Sequence, residues 1–144
     1  LVKRNVSYQE YDIHCTVVKQ LTGKVITPVV FDYLEEGRYS ATSNEEPRQV
    51  MIMERIQGQD LATIYGEEDW ETPRYVHEQC RAIIDSLRNE SIFYNDITSY
   101  NFMMDDQETV VVIDFGHAKW EEGVAHHFIQ DYLDGEDGWN PDFR

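Results

Sequence analysis

The sequence predicts a single α+β domain, and three patterns support that fold class. Runs of β-branched and aromatic residues at 25–33 and 49–56 favour strands. Apolar residues recur at helical spacing through 7–21 and again through 72–89, which favours two helices. Two short apolar runs on either side of a polar turn predict a hairpin over 101–114. The 144 residues are enough for one domain of this kind.

Composition and charge restrict the class of protein. Hydrophobic residues make up 41% of the chain, enough to form a core, while no apolar run approaches the roughly 18 residues of a membrane span. The net charge of −16 argues against nucleic acids and anionic membranes as partners. It favours instead a metal ion or a basic peptide. Cys15 and Cys80 are too few for a disulfide framework, so we expect an intracellular, cytoplasmic protein.

Local signals place the ends of the first helix. Residues 1–4 resemble the end of a strand, and the helix follows after a short break. Ser7 and Glu10 match the capping box S-x-x-E, and Gly23 supplies a stop. Residues 35–48 are rich in turn residues and indicate a hairpin-like turn or loop. Because the chain does not start with Met, we expect it to be processed or to be part of a longer chain.

The longest helix is predicted over 72–89, after one or two helical turns in residues 59–66. A proline near its start suits the first turn of a helix. An apolar stripe follows at helical spacing: Tyr75, Val76, Gln79, Cys80, Ile83, Ile84 and Leu87. If this helix belongs to the core, Ile83 and Ile84 cannot both be exposed to solvent. The residues after Gly116 are expected to form helix or loop with an acidic, solvated surface.

The hairpin brings together two residues with oxygen ligands. Asn101 stands just before its first strand and Asp114 just after its second, so an antiparallel hairpin places them side by side. An amide oxygen and a carboxylate suit a hard cation such as Mg²⁺, which takes one or two protein oxygens and fills its shell with phosphate and water. Asp96, five residues before Asn101, can face the same point without binding the metal, where a general base belongs.

Two segments of the sequence resemble the protein-kinase-like superfamily. Residues 94–101, Y-N-D-I-T-S-Y-N, stand where protein kinases have H-R-D-L-x-x-x-N. Residues 112–118, V-I-D-F-G-H-A, match the metal-binding D-F-G segment. With the preceding helix and the hairpin, they are most similar to small atypical kinases: the RIO-like group, the small kinase of the tRNA-modifying KEOPS complex and kinase-like proteins of fungi.

The resemblance covers most of the chain and implies one kinase-like domain over 1–144. Residues 1–56 would form a remnant N-lobe with the hinge, and residues 57–144 a reduced, mostly helical C-lobe. In this family the hinge backbone binds adenine. The matching groups of this chain are the Glu54 carbonyl and the Ile56 amide.

The resemblance also implies roles for five charged or polar side chains. Lys3, braced by an ion pair with Glu10, would contact the α- and β-phosphates of ATP. Asn101 and Asp114 would bind Mg²⁺, which in turn binds the phosphates. Asp96 would orient the acceptor hydroxyl and take its proton. The expected cofactors are therefore ATP and Mg²⁺, and the expected catalytic residues are Lys3, Glu10 and Asp96.

The sequence departs from the kinase pattern at several positions. No Gly-rich phosphate loop precedes Lys3, and no A-P-E segment follows the D-F-G motif. Tyr94 and Asn95 replace the histidine and arginine before the catalytic aspartate, and Thr98 replaces the usual lysine. Two other interpretations stay open: Lys3 is a solvated residue near a chain end, and Glu10 is no more than the capping-box acid.

The function that these patterns imply is ATP- and Mg²⁺-dependent phosphoryl transfer to a hydroxyl, with Ser or Thr of a protein as the acceptor. Its ligands would be a nucleotide and a protein substrate or partner, with no nucleic acid and no membrane. Without a Gly-rich loop, one alternative is a truncated pseudokinase that serves as a binding or scaffold module. A second is a small-molecule kinase of the aminoglycoside or choline type, which needs no A-P-E segment.

Overall fold

The computed structural model describes residues 1–36 and 48–120, which form short strands and two main helices. In chain order the elements are β1 (Val2–Arg4), α1 (Tyr8–Gln20), β2 (Val30–Glu36), β3 (Arg48–Met53), β4 (Gly58–Asp60), α2 (Leu61–Tyr65), a 3₁₀ turn (Asp69–Glu71), α3 (Arg74–Asn89), β5 (Ile92–Phe93), β6 (Phe102–Asp105), β7 (Val110–Val112) and β8 (Lys119–Trp120). This mixture of helices and sheets confirms the α+β class. The predictions for residues 37–47 and 121–144 lie outside the described residues.

The first sheet is antiparallel, with β3 between β1 and β2. Met51 in β3 lies opposite Lys3 in β1 and opposite Tyr33 in β2. β3 ends at Met53, so the predicted strand over 49–56 is three residues too long. The residues that follow leave the sheet and form the connection toward β4.

The predicted strand over 25–33 is wrong in its first half, because β2 begins only at Val30. Residues 25–29, which we call the linking segment, bond to a different neighbour. The Thr27 hydroxyl donates to the Val112 carbonyl at 2.7 Å, and the Val112 N–H donates at 3.1 Å to the carbonyl just before Thr27. A proline within the segment has no N–H for a strand ladder, which disfavours its pairing in the first sheet. The linking segment therefore ties β2 to β7.

α1 begins where its cap predicts. The Ser7 hydroxyl accepts a hydrogen bond from the Glu10 N–H at 3.1 Å, and the helix ends at Gln20, three residues before Gly23 at φ +85°. The predicted helix over 7–21 is thus confirmed to within one residue at each end. Its buried side chains are Glu10, Ile13, His14 and Val17. Two polar groups of α1 therefore face the interior of the protein.

α3 supplies a large part of the main core. Its buried side chains are Val76, His77, Cys80, Ile83, Ile84 and Leu87. Ile83 and Ile84 are 5% and 1% exposed, which confirms that the two are not both at the surface. Tyr75, predicted in the apolar stripe, is exposed, and His77 is buried in its place. None of the helices in the described residues is long and apolar enough to cross a membrane.

β4, β6 and β7 form the second sheet, with β6 in the middle. Met103 in β6 lies opposite Val111 in β7, which confirms the hairpin predicted over 101–114. α2 follows β4 directly and is capped by the Asp60 carboxylate, which confirms the helical turns predicted within 59–66. A two-stranded pair of β5 and β8 completes the strands that the structure describes.

We expect Ile84→Ala to lower the free energy of unfolding by about 2–5 kcal/mol, because the Ile84 side chain is 1% exposed and its truncation leaves a cavity in the core. The matched control is Ile64→Ala in α2, where the isoleucine is 39% exposed and the loss should stay below about 1 kcal/mol. Chemical denaturation measures both values. Equal losses at the two positions would contradict the packing of α3 described above.

Candidate active site

Three charged side chains from three different elements meet at one point. Lys3 of β1 forms a salt bridge with Glu10 of α1. The same ammonium group lies 3.0 Å from Oδ1 of Asp114, which follows β7. Glu10 is almost completely buried, whereas Lys3 and Asp114 are partly exposed. The sequence predicted the pairing of Lys3 with Glu10, and the structure brings the two together and adds Asp114 to them.

The short connection between β1 and α1 makes this contact possible. Asn5 adopts φ +59°, a left-handed conformation that asparagine tolerates better than most residues, and it turns the chain immediately after β1. Ser7 then caps α1, so that Glu10 lies in the first turn of the helix, on the side of β1. The hydroxyl of Ser7 binds the backbone of Glu10, while the carboxylate of Glu10 binds Lys3. The interpretation of Glu10 as no more than a capping-box acid is therefore wrong, because its carboxylate binds Lys3 while only its backbone N–H takes part in the cap.

Their mutual contact keeps Lys3 and Asp114 in the charged forms that bind each other. Burial alone would lower the pKa of Lys3, but its hydrogen bonds to Glu10 and Asp114 raise that pKa above the ordinary lysine value. Burial would likewise raise the pKa of Asp114, but the Gly116 N–H and Lys3 hold it below the ordinary aspartate value. An ammonium group and two carboxyl groups therefore stand together, and the surplus of acidic groups favours a cation beside them.

The two oxygens of Asp114 have different surroundings. Oδ1 accepts hydrogen bonds from Lys3 at 3.0 Å and from the Gly116 N–H at 2.7 Å. Within residues 1–36 and 48–120, Oδ2 accepts none. Gly116 leaves little room here, because a Cβ at this position would lie 3.0 Å from Oδ1 of Asp114 and 3.4 Å from a carboxylate oxygen of Glu10. The described part of the protein thus fixes one carboxylate oxygen of Asp114 and makes no hydrogen bond to the other.

Asn101 and Asp96 are connected by a hydrogen bond. Nδ2 of Asn101 donates to the backbone carbonyl of Asp96 at 2.8 Å, and Asn101 is 7% exposed. The Asn101 carbonyl accepts from the Ile113 N–H at 3.1 Å, so the backbone next to Asp114 is bound to Asn101. The hairpin therefore brings the two predicted metal ligands into neighbouring positions, as its strand pairing requires.

The donor set fits Mg²⁺ only if the nucleotide and water complete its shell. Among the described residues, no group of three or more His, Cys, Asp or Glu side chains could hold a metal ion. A cation at this point would bind the Asp114 carboxylate and the Asn101 amide oxygen. That is the small number of protein ligands with which Mg²⁺ binds beside phosphates. The residues present are therefore compatible with a metal that arrives together with its nucleotide.

A cavity of about 320 Å³ opens beside this cluster, at the small end of the range for ligand pockets. It is lined by Leu1, Val2, Lys3, Pro28, Met53, Glu54, Ile56, Met103, Ile113 and Asp114. Its wall is largely apolar, and the side chains of Lys3 and Asp114 supply opposite charges at one side. This combination suits a flat, apolar group joined to an anionic one.

The predicted hinge residues also line the cavity. The Glu54 N–H donates to the Val29 carbonyl at 2.8 Å, and the Glu54 side chain accepts from the Val29 N–H at 3.3 Å. These bonds fix the backbone at the end of β3. In the part of the chain that the structure describes, the Glu54 carbonyl and the Ile56 N–H have no hydrogen-bond partner. They are the two groups expected to bind adenine, and that role stays a prediction.

Sequence reasoning missed one residue of this region, His14. It is fully buried on α1, its Nε2 lies 2.7 Å from the Pro28 carbonyl, and its ring centroid lies 5.0 Å from that of Phe115. The sequence contains one signal for it, because Glu10 and His14 are four residues apart and share a helix face. That spacing places His14 next to the charged cluster, although its partners come from distant parts of the chain.

Comparison with known proteins adds a partial sequence match. No protein-family model matches the chain. The protein named "Putative ribosomal protein S6 kinase alpha-2" of Caenorhabditis elegans is 32% identical over 72 residues. The match covers 48% of this chain and 9% of that protein, so it concerns only a small part of the relative.

Solved structures share the fold over most of the chain. The Cydia pomonella granulovirus kinase PK-1 has a TM-score of 0.60 at 14% identity and covers 83% of this chain, which spans 42% of that one. WbdD has a TM-score of 0.57 at 18% identity, and the match covers 86% of this chain and 26% of WbdD. WbdD bound to the kinase inhibitor LY294002 has a TM-score of 0.55 at 18% identity, and the match covers 87% of this chain and 26% of that one. The chain has a kinase-like fold and spans less than half the length of these structures. Its division into two lobes and its place among atypical kinases remain predictions.

The burial of His14 predicts a pH-dependent contribution to stability. Desolvation, together with the charge of Lys3, lowers the pKa of His14 from 6.5 to about 4, despite the opposing effects of the Pro28 carbonyl and Asp114. Between pH 6.5 and about pH 4, His14 therefore binds a proton in the unfolded chain but not in the folded protein. The stabilisation is complete above pH 6.5 and is lost as the pH falls toward 4, by about 2 kcal/mol between pH 7 and pH 5.

Many carboxylates also titrate in this range, so the measurement is the difference in unfolding free energy between the wild type and His14→Gln. That difference should shrink by about 2 kcal/mol from pH 7 to pH 5, measured by urea denaturation. A difference that stays constant across this range would show that His14 is not held neutral by burial.

Proposed function

We propose that this chain binds ATP together with Mg²⁺ and transfers the γ-phosphoryl group to a hydroxyl, with Ser or Thr of a protein as the acceptor. The observation that best supports this proposal is the cavity, because one apolar pocket has the predicted hinge at one side and Lys3 with Asp114 at another. The kinase-like fold is consistent with it. The acceptor class rests on the resemblance of the catalytic segment to that of protein kinases.

The binding step follows from the lining of the cavity. The apolar residues Val2, Met53 and Met103 would enclose the adenine ring, and the Glu54 carbonyl and Ile56 N–H would bind its edge. Lys3 would exchange its hydrogen bond to Asp114 for one to a phosphate oxygen, while Glu10 stays bound to its ammonium group. Mg²⁺, when bound, would neutralise the phosphate charge.

The transfer step depends on residues at the end of the hairpin. Asn101 and Asp114 would bind the metal, and the bond from Asn101 to the Asp96 carbonyl would hold the backbone of Asp96 in register with it. The Asp96 carboxylate would orient the acceptor hydroxyl and accept its proton as the hydroxyl oxygen bonds to the γ-phosphorus and the bridging oxygen departs with ADP. Most of the rate would come from positioning and charge neutralisation.

We expect Asp114→Asn to weaken Mg²⁺-dependent ATP binding by at least about tenfold, because the swap keeps the shape but removes the anionic ligand. Asp106→Asn, in the exposed turn of the same hairpin, is the matched control and should leave the affinity unchanged. Thermal-shift titration of the full-length protein with ATP, with and without Mg²⁺, measures the effect through stabilisation by bound ligand. No shift in the wild type at millimolar ATP would contradict the proposal and favour a binding module.

We expect Asp96→Asn to leave ATP affinity nearly unchanged and to reduce phosphoryl transfer by about a hundredfold or more, because Asp96 acts on the acceptor and not on the nucleotide. A phosphorylation assay with protein and small hydroxyl acceptors measures the transfer and separates the two substrate classes. Transfer to small amines or alcohols alone would support the small-molecule alternative. Wild-type ATP binding without any transfer would support the pseudokinase alternative.

A further inference from the structure

Three tyrosine rings from α1 and β2 contact one another outside the cavity. The rings of Tyr11 and Tyr33 stack at 4.4 Å and 7°, a geometry typical of offset aromatic pairs. Tyr8 lies one helical turn before Tyr11, with its ring centroid 6.1 Å from that of Tyr11 and its plane tilted by 56°. We call these three side chains the tyrosine cluster. None of the three lines the cavity of the candidate active site.

Packing accounts for two of these rings but not for the third. Tyr11 and Tyr33 are partly buried against a small core that contains Val6 and Met51, and the Tyr33 hydroxyl donates to the Val6 carbonyl at 2.8 Å. Tyr8 is 68% exposed, and among the described residues its hydroxyl has no hydrogen-bond partner. An exposed tyrosine that lies against a fixed pair of rings is typical of a binding surface.

Acidic side chains stand beside the tyrosine cluster. Asp12 lies four residues after Tyr8 on the same face of α1, and Asp32 belongs to β2. In the part of the chain that the structure describes, neither carboxylate forms an ion pair. The contact with Cys15 raises the pKa of Tyr11 most, and the negative charge of Asp32 raises it further. The surroundings of the rings are therefore negative, which favours a cation on their exposed faces.

The basic side chains that precede α1 are already bound to other acids. Lys3 contacts Glu10 and Asp114, and Arg4 lies 3.4 Å from Glu36. Neither base is thus available to the tyrosine cluster. The net charge of −16 favours a positively charged partner and disfavours nucleic acids and anionic membranes.

We propose that the tyrosine cluster, with Asp12 and Asp32, is a docking site for an arginine side chain of a basic protein segment. Arginine fits this surface better than lysine, because its planar guanidinium group stacks on an aromatic face while its N–H groups bind a carboxylate. The attraction of a ring for a cation extends to about 6 Å from the ring centroid. The site goes beyond the proposed function and does not depend on it, because arginine docks here without a nucleotide.

The probe is a short capped peptide with two arginines in a glycine and serine background, compared with the same peptide carrying lysines. NMR titration of the full-length protein without nucleotide, at about 0.15 M salt, measures both dissociation constants. We expect the arginine peptide to bind at least about threefold more tightly than the lysine peptide. We also expect it to shift the ring resonances of Tyr8 and Tyr11.

Substitutions of Tyr8 separate the aromatic face from the hydroxyl and from the apolar area. Tyr8→Leu keeps an apolar side chain without a ring and should weaken binding of the arginine peptide about three- to fivefold. Tyr8→Phe keeps the ring and should stay within about twofold of the wild type. Asp12→Asn should weaken binding about threefold and make it less sensitive to salt. Because Tyr8 is largely exposed, we expect its variants to fold.

Tyr75→Leu is the matched control, since Tyr75 is 59% exposed but lies on α3. It should leave the dissociation constant unchanged. An acidic protein attracts any cationic peptide, so the difference between Tyr8→Leu and Tyr75→Leu is the measurement that decides. Equal affinities in these two variants, or equal affinities of the wild type for the two peptides, overturn the proposal.

The outcomes also distinguish this site from the proposed function. A wild type that binds the arginine peptide through Tyr8 but does not bind Mg²⁺-ATP supports the docking site and contradicts the proposed function alone. A wild type that binds Mg²⁺-ATP but shows no preference for the arginine peptide overturns the docking site and leaves the proposed function standing.

Discussion

The Lys3 ammonium group contacts two carboxylates that come from different elements, Glu10 from α1 and Asp114 from the end of β7. A single cation on an edge strand thereby joins the first sheet, its helix and the hairpin of the second sheet. Against the effect of burial, the N–H of Gly116 and the hydrogen bond from Lys3 also hold the pKa of Asp114 below the ordinary aspartate value. This three-way contact fixes the positions of Glu10 and Asp114 relative to each other.

The linking segment stabilises the contact of Lys3 with Glu10 and Asp114, because it is hydrogen-bonded to three different parts of the chain. His14 donates to it from α1, Val112 exchanges hydrogen bonds with it from β7, and Glu54 pairs with its last residue at the end of β3. These bonds are made mainly to backbone groups, which would otherwise be buried without partners at considerable cost. The same segment forms part of the cavity wall, so the supports of the fold and of the candidate site are largely shared.

The sequence predicted those features that depend on local patterns. The stripe of α3, the cap of α1 and the hairpin with Asn101 and Asp114 at its ends follow from periodicity and turn chemistry. The strand over 25–33 was wrong because its first half is β-branched, as a strand would be, yet it bonds to Val112, more than eighty residues away. His14 was missed for the same reason, since its burial and its partners arise only when distant segments pack together. Local patterns thus predicted where Asn101 and Asp114 lie but not which contacts hold them there.

The central claim is that Lys3, Asp114 and the hinge form one nucleotide site. A crystal structure of the full-length protein with Mg²⁺ and a non-hydrolysable ATP analogue tests it most directly. The account predicts Mg²⁺ at about 2.1 Å from Asp114 Oδ2 and the Asn101 amide oxygen. It also predicts Lys3 on a phosphate oxygen and adenine bound to the Glu54 carbonyl and the Ile56 N–H. A nucleotide bound outside the cavity, or a metal that does not touch Asp114, would contradict it.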